Sequence, residues 1–159
     1  PVRLMRRPLG ERRNAMTLIA AYDPNNIFAK IIRGEIPAIK IHEDDDTLAF
    51  MDIFPQTEGH ALVIPKLAQA TSLFDASPEA LETLIVAVQK IAKAVEAAVK
   101  PDGVRILQFN GSEAGQTVFH IHFHIVPIYA GQQVRAHAGG APADQARLKE
   151  LAQRIAAAL

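Results

Sequence analysis

A chain of 159 residues, of which 49% are hydrophobic and 21% charged, has the size and composition of one ordinary soluble globular domain. Its 17 basic and 17 acidic residues cancel, so bulk charge predicts no specific nucleic-acid partner. The lack of cysteine excludes disulfides, thiolate nucleophiles and cysteine-based zinc sites, and it fits a cytoplasmic protein. No apolar run reaches the roughly 18 to 20 residues of a membrane-spanning helix, so no membrane segment is predicted.

The N-terminal segment is unusually basic. Five arginines precede Met16, and the segment lacks the apolar stretch of a secretion signal. We interpret residues 1–15 as a disordered basic extension, with a basic nucleic-acid arm as the alternative. Residues 16–130 are predicted to form the folded domain, and residues 131–159 a mobile linker followed by an alanine-rich helix.

The first predicted elements are a short helix and a hairpin. Asn25 and Asn26 can cap a helix over the stretch IFAKIIRG, whose apolar residues repeat at helical spacing before Gly34 ends it. Strand-like runs at residues 39–44 and 47–53 lie on either side of an acidic turn. Together they predict a β-hairpin.

A third strand and a long helix come next. Hydrophobic residues alternate over 59–66, which predicts a strand with His60 and Leu62 on one face. The clearest helix begins at Ser77, an N-cap followed by proline at the first helical position. Its apolar residues keep the helical period until Pro101.

The last two strands are predicted at residues 104–109 and 118–127, joined by a loop short enough for a hairpin. The sheet is therefore predicted to be antiparallel. Paired strands with a long helix between them indicate an α+β domain. We expect an antiparallel sheet of about five strands, with one long helix and a short N-terminal helix.

Three histidines alternate with apolar residues in the last predicted strand. His120, His122 and His124 share one face, and the apolar residues between them are expected to pack on the long helix. The histidine face is then expected to border open space or a cleft. Three interpretations compete: a metal site, a catalytic imidazole with helpers, and an accident of composition.

The spacing of the three histidines limits the metal interpretation. The Cα atoms of His120 and His124 lie roughly 13 Å apart on a strand, so the three rings cannot easily reach one ion at about 2.0 to 2.1 Å. Two rings could bind an ion with a third ligand from elsewhere in the chain. The catalytic interpretation explains more of the pattern, because a neutral imidazole is a nucleophile at physiological pH and neighbours can fix its tautomer.

The loop before the histidines carries groups that suit an anionic phosphate. It offers amide side chains, backbone N–H groups at glycines, and a hydroxyl. These groups belong to Asn110, Gly111, Gly115, Gln116 and Thr117.

With these residues in view, the chain resembles the histidine triad (HIT) superfamily, and most closely its Hint-like branch. The triad motif, three histidines separated by single apolar residues, is HIHFHIV at residues 120–126. The similarity also includes GQTVF and the long stretch from Asn25 to Lys66, so it runs over residues 25–127 nearly end to end.

The resemblance implies a homodimeric α+β fold that binds a purine nucleotide and cleaves its α-phosphate from a leaving group. The middle histidine of the triad, here His122, would be the nucleophile and would form a nucleotidyl-histidine intermediate that water hydrolyses. His120 and His124 would orient the nucleophile and contact the phosphate or the leaving group.

The resemblance also assigns the remaining site residues. Thr117 would hydrogen-bond the phosphate or leaving group, Asp52 would bind the ribose, and His60 matches a further family histidine. The apolar pocket for the base would be formed by Ile27, Phe28, Ile31, Phe50, Ile53 and Leu62.

The sequence departs from the family in two places. Many bacterial members carry a zinc site built from Cys-x-x-Cys and a later histidine, but the corresponding positions here are Asn26 and Ala29, and residues 66–74 contain no histidine. We therefore expect no metal site and no required cofactor. The segment after Pro127 also differs, which leaves the leaving-group preference open. His42 and His137 are expected to face solvent.

The preferred functional prediction is a hydrolase of purine nucleoside phosphoramidates or related adenylates. A dinucleoside polyphosphate hydrolase is the alternative within the same chemistry. A nucleotide-binding scaffold with little activity, and a histidine-rich metal carrier, are alternatives of other kinds.

Overall fold

The structure is a computed structural model that describes Leu18 and residues 20–159; the predicted extension over residues 1–15 lies outside this range. The predicted α+β fold with a five-stranded antiparallel sheet is confirmed. The elements follow in the order α1 (Ile27–Ile32), β1 (Lys40–Glu43), β2 (Thr47–Met51), β3 (Ala61–Pro65), α2 (Pro78–Val99), β4 (Gly103–Leu107), a short 3₁₀ turn (Ser112–Ala114), β5 (Phe123–Ile128) and α3 (Gln145–Ala157).

The helices begin at side-chain caps. The Asn26 side chain accepts a hydrogen bond of 2.9 Å from the Ala29 N–H at the start of α1, as the sequence predicted. Ser77 caps α2 in the same way, by accepting from the Ala80 N–H at 3.1 Å, and Pro78 takes the first helical position. The predicted C-terminal helix is α3.

The sheet has the strand order β1-β2-β3-β5-β4, and every neighbouring pair is antiparallel. The hairpin of β1 and β2 forms as predicted. β3 and β5 are adjacent, with Leu62 opposite His124 and Ala61 opposite Ile125. This register places a residue of the predicted base pocket directly beside a histidine of the triad.

The two faces of the sheet are covered by different helices. On one face, α2 and α3 pack over a core that includes Val63, Ile125 and Leu151. On the other face, α1 packs through Phe28 and Ile31 against Leu62 and its neighbours on β2 and β3. The alternation predicted for β3 is therefore confirmed, since Leu62 and Val63 belong to different cores.

The predicted bounds of the last strand were wrong. β5 begins only at Phe123, because Val118–His120 form a bend and the Ile121 N–H donates to the Ala70 carbonyl at 2.8 Å. It also continues through Pro127, which was expected to end it. Proline is tolerated there because its position lies beyond the β3 residues that pair with β5, so no β3 carbonyl lacks a donor.

No helix of the described part of the chain is long and apolar enough to cross a membrane.

Gly59 fixes the turn that leads into β3, and we expect it to tolerate substitution poorly. Its φ is +90°, and an added Cβ would lie 3.2 Å from Pro127 and 3.3 Å from Val99. Gly34 is a matched control because it has a similar φ of +77° but no atom within 4 Å of an added Cβ. Gly34→Ala should lower the free energy of unfolding by about 1 kcal/mol, and Gly59→Ala by a further 1–3 kcal/mol, roughly, because it also crowds packed side chains.

Urea denaturation of the two variants beside the wild-type protein checks this difference. Equal losses of stability in both variants would show that the contacts of Gly59 with β5 and α2 do not constrain the turn.

Candidate active site

A cavity of about 270 Å³ opens on the sheet face opposite α2, between α1, β2, β3 and the start of β5. This volume lies near the lower end of small-molecule sites, which span about 300 to 1,000 Å³. Ten residues predicted for the site line it: Ile27, Phe28, Ile31, Phe50, Asp52, Ile53, Leu62, Thr117, His122 and His124. The structure therefore brings the residues predicted for the base pocket, the carboxylate predicted for the ribose and two of the three histidines to one place.

A larger and more open groove, of about 450 Å³, lies between the β1-β2 hairpin and α2. It contains none of the predicted site residues. Its one histidine, His42, has a side chain that is 30% exposed and lies 3.7 Å from the Asp44 carboxylate. The groove has no link to the triad.

His122 is held with a defined tautomer. Its Nδ1 lies 2.7 Å from the backbone carbonyl oxygen of His120, which can only accept, so Nδ1 carries the proton and Nε2 keeps its lone pair. The ring packs edge-on against Phe28 with a centroid distance of 4.9 Å. Burial lowers the pKa of His122 to about 4, although the His120 carbonyl partly opposes this shift. At neutral pH the ring is therefore uncharged, with a lone pair on Nε2.

His124 is oriented through His60. The Gln56 N–H donates to His60 Nδ1 at 3.0 Å, so the proton of the neutral His60 ring lies on Nε2. That Nε2 lies 3.0 Å from His124 Nδ1, which must accept. The proton of His124 therefore lies on Nε2, a buried atom without a hydrogen-bond partner among the described residues.

Burial keeps this pair of rings neutral. Desolvation lowers the pKa of His60 to about 3 and that of His124 to about 2, and the neighbouring imidazoles add to both shifts. His124 therefore offers an N–H donor to the cavity over the whole physiological pH range.

Asp52 lies at the cavity wall beside this pair. One carboxylate oxygen accepts from the Phe54 N–H at 2.8 Å, and the other lies 3.5 Å from His60 Nε2. Burial raises the pKa of Asp52 to about 6, and the Phe54 N–H partly opposes the shift. Its free oxygen can accept a hydrogen bond from a ligand hydroxyl.

Asp52, His60 and His124 bring three ligand-type atoms within 4.8 Å of one another, which is close enough for a metal ion. The hydrogen bonds oppose this use. Because Gln56 donates to His60 Nδ1, the other nitrogen of His60 is protonated and has no lone pair for a metal.

The two residues of this chain that the resemblance aligns with a zinc site, Asn26 and Ala29, do not suit a metal either. The Asn26 side chain is used as the cap of α1, and Ala29 is a buried residue without a ligand atom.

The ring of His120 does not line the cavity. Its Nε2 lies 2.8 Å from the Pro65 carbonyl and its Nδ1 lies 2.7 Å from the Tyr22 hydroxyl, so both nitrogens have partners within the protein. Burial lowers the pKa of His120 as well, although the Pro65 carbonyl opposes the shift. His120 therefore orients the ring of His122 through its backbone carbonyl, while its own ring holds the bend before β5. Nothing in the sequence pattern indicated the contact with Tyr22.

Four residues of the predicted phosphate loop, Asn110, Gly111, Gly115 and Gln116, also lie away from the cavity. Gln116 is buried, donates to the Thr71 and Val118 carbonyls, and accepts from the Gly111 N–H. Asn110 accepts from the Leu73 N–H at 3.0 Å. Gly115 is likewise absent from the cavity wall, where Thr117 alone represents the loop.

The expectation that His137 faces solvent was wrong. Its ring lies 4.8 Å from the ring of His124 and 5.0 Å from that of Phe109, measured between centroids, and it lines the same cavity as His122. Burial lowers its pKa, with partial opposition from the Gly115 carbonyl. No local pattern could have revealed this, because the segment after β5 is poor in apolar residues and its path depends on hydrogen bonds to Gln56.

The comparisons with known proteins agree with this geometry. Residues 33–131 match the family model of the HIT domain, and the chain belongs to that family. It is 46% identical over 105 residues to "Protein hit" of Bacillus subtilis, covering 66% of this chain and 72% of that protein. It is 44% identical over 101 residues to the adenosine 5'-monophosphoramidase hnt1 of Schizosaccharomyces pombe, covering 64% and 72%.

Among solved structures, a Hit-like protein involved in cell-cycle regulation from Bartonella henselae is 50% identical, with a TM-score of 0.81. The match covers 87% of this chain and 99% of that one. The predicted resemblance to the HIT superfamily is thus confirmed.

The buried histidines should make the fold sensitive to mild acid. Between pH 6.5 and 5, His60, His122 and His124 bind protons in the unfolded chain but stay unprotonated in the folded protein. The free energy of unfolding therefore falls as the pH falls. Each of these histidines contributes up to about 1.4 kcal/mol per pH unit. Asp52 acts in the opposite direction, because its native pKa is raised and it binds its proton first in the folded state.

Urea titrations at pH 7.5 and pH 5 measure the net effect. We expect a lower midpoint at pH 5, and a smaller difference between the two pH values in His124→Gln. A wild-type midpoint that is equal or higher at pH 5 would contradict the neutral, buried state of these rings.

Proposed function

We propose that the protein is a nucleotide hydrolase that cleaves the α-phosphate of purine nucleoside phosphoramidates or related adenylates through a nucleotidyl-histidine intermediate. One observation carries this proposal: the hydrogen bond from His122 Nδ1 to the His120 carbonyl leaves Nε2 unprotonated in a ring that lines the cavity. Membership of the HIT family and the similarity to hnt1, an adenosine 5'-monophosphoramidase, support the proposal.

The cavity offers a separate surface for each part of a nucleotide. Phe28, Phe50 and Leu62 provide apolar contacts for a base, and Phe28 also packs against the nucleophile. Asp52 is placed to accept a hydrogen bond from a ribose hydroxyl. Thr117 lines the same cavity and supplies a hydroxyl donor for a phosphate or a leaving group.

The proposed first step is attack by His122 Nε2 on the α-phosphorus. A bond forms between Nε2 and the phosphorus as the bond to the leaving group breaks, and His122 keeps its Nδ1 proton and becomes a cationic, N-phosphorylated imidazole. The leaving atom keeps the electron pair of the broken bond and takes up a proton from solvent water. The Nε2–H of His124 is placed to stabilise the phosphoryl oxygens or the departing atom. In the second step water attacks the same phosphorus and releases the nucleoside monophosphate and the neutral His122.

No metal is required in this scheme, because the imidazoles of His122 and His124 and the hydroxyl of Thr117 line the cavity in which the phosphate would react. The tautomer of His60 favours this proposal over a metal carrier. A competition assay between an adenosine phosphoramidate and a diadenosine polyphosphate distinguishes the proposed substrate class from the dinucleotide alternative.

Removal of the nucleophile is the direct test of the mechanism. His122→Ala should lower kcat for an adenosine phosphoramidate by at least about a thousandfold, since no other described group lies in the same position with a free lone pair. AMP should still bind, because the apolar pocket and Asp52 are unchanged. Steady-state kinetics and isothermal titration with AMP measure the two quantities.

His42→Ala is the matched control, since it removes a histidine from the unrelated groove, and it should keep wild-type turnover. Near-normal turnover in His122→Ala would disprove the nucleophilic role. Tight AMP binding by a wild-type protein without any hydrolysis would favour the scaffold alternative.

We also propose that the protein is a homodimer that associates through β4 and α2. β4 is an edge strand of the sheet, so its outer backbone groups are available to a second copy. Ile106 on β4 and Ile85 on α2 are 42% and 49% exposed, and both line one shallow groove. Exposed apolar side chains next to an open strand edge are typical of an interface.

Charge at this face should separate the subunits. Ile106→Lys is expected to shift the sedimentation coefficient from that of a dimer to that of a monomer, because an unpaired ammonium group would be buried on association. Leu67→Lys, at an exposed residue outside this groove, should leave the dimer intact. A wild-type monomer, or an intact Ile106→Lys dimer, would contradict the proposed interface.

A further inference from the structure

The aromatic rings along the cavity follow a definite order. Phe28 lies 4.9 Å from His122, His122 lies 5.0 Å from His124, and His124 lies 4.8 Å from His137, all measured between ring centroids. Phe28 therefore contacts the ring of His122 directly, whereas His137 is reached from His122 only through His124 in this series of ring contacts. A nucleotide with its base against Phe28 and its α-phosphate at His122 would direct the remaining substituent of the phosphorus toward His124 and His137.

His137 has unused hydrogen-bonding capacity at this end of the cavity. Both of its ring nitrogens are buried, and neither makes a hydrogen bond of normal geometry among the described residues, although the Gly115 carbonyl lies near the ring. Nε2 of the neighbouring His124 is also buried and has no hydrogen-bond partner among the described residues. Buried polar atoms without partners are costly, and a cluster of them at a cavity wall indicates a ligand that completes their hydrogen bonds.

The segment that carries His137 is fixed in place by specific contacts. The Arg135 N–H donates to the Gln56 carbonyl at 2.9 Å, and the Gln56 side chain donates to the Arg135 carbonyl at 3.0 Å. Farther along, the Ala143 N–H donates to the Ile53 carbonyl at 2.9 Å. Gln56 is also the residue whose N–H sets the tautomer of His60, so one residue aligns both histidine groups.

The backbone next to His137 is strained. Ala138 has a φ of +52°, in the left-handed region that residues with a side chain seldom adopt. Ala138 also lines the cavity, and such strain is concentrated at functional sites, where surrounding contacts enforce it. Phe109 packs against the rings of both His137 and His124 and holds them side by side.

We propose that His137 binds the leaving group of the substrate, as a third imidazole of the cavity wall beside His122 and His124, supplied by the segment after β5. The proposal rests on the hydrolase function proposed above and assigns the leaving-group end of that site. A neutral imidazole has one donor and one acceptor. It can therefore accept from the N–H of an amine leaving group or donate to the oxygen of a phosphate leaving group.

His137→Phe tests this role, because phenylalanine can keep the ring contacts with Phe109 and His124 but has no nitrogens. Single-turnover kinetics with an adenosine phosphoramidate should show nucleotidylation of the enzyme slowed by about tenfold, the value of a lost hydrogen bond. Hydrolysis of the nucleotidyl-enzyme should change by less than about twofold, because the leaving group has already departed. AMP affinity should be unchanged, since AMP lacks that group.

Two further variants make the result specific. His137→Gln keeps a donor and an acceptor and should recover part of the lost rate, and His42→Phe makes the same chemical change outside the site and should leave both steps unaltered. Equal slowing of both half-reactions, a parallel loss of AMP affinity, or no change in His137→Phe would overturn the proposal. A wild-type enzyme that never becomes nucleotidylated would instead overturn the hydrolase function, and this proposal with it.

Discussion

The hydrogen bond of 2.7 Å between His122 Nδ1 and the carbonyl oxygen of His120 determines the chemistry of the site. A backbone carbonyl can only accept, so the bond fixes the proton on one nitrogen and leaves the lone pair of the other available. The bond joins two residues of the same short segment and needs no distant partner. It does need the bend before β5, which the ring of His120 stabilises through Tyr22 and Pro65.

A second set of hydrogen bonds fixes the opposite tautomer in His124, with the proton on Nε2. The chain of contacts from the Gln56 N–H to His60 and on to His124 leaves a donor, rather than a lone pair, at the cavity. Two neighbouring histidines thus present opposite groups, although both are neutral and buried. The difference arises from what each Nδ1 contacts: a carbonyl in one case and an N–H in the other.

The sequence predicted the parts of this architecture that depend on local pattern. The caps at Asn26 and Ser77, and the alternation that places Leu62 and Val63 on opposite faces, follow from short-range geometry and are confirmed. The motif with alternating histidines also brought His122 and His124 correctly to one cavity. The prediction of the apolar pocket residues came from the family resemblance, because the sequence pattern alone does not show whether a hydrophobic residue lines a pocket or belongs to the core.

The failures all involve segments whose path depends on distant contacts. A period of two over residues 118–127 indicated one continuous strand, but a backbone bond to Ala70 replaces the first part of the ladder and turns His120 away from the cavity. Gln116 had the right chemistry for a phosphate, yet its amide is used inside the protein. His137 lies in a polar segment without periodicity, so only the fold could place it beside His124.

We propose that an oriented, neutral His122 becomes covalently attached to the α-phosphorus of a nucleotide. Mass spectrometry of the wild-type enzyme, mixed with an adenosine phosphoramidate and quenched without acid, followed by peptide mapping, tests this attachment. We expect one added nucleotidyl group on the peptide that contains His122, and none in His122→Ala. Hydrolysis by the wild-type protein without any such adduct, or an adduct on another residue, would contradict it.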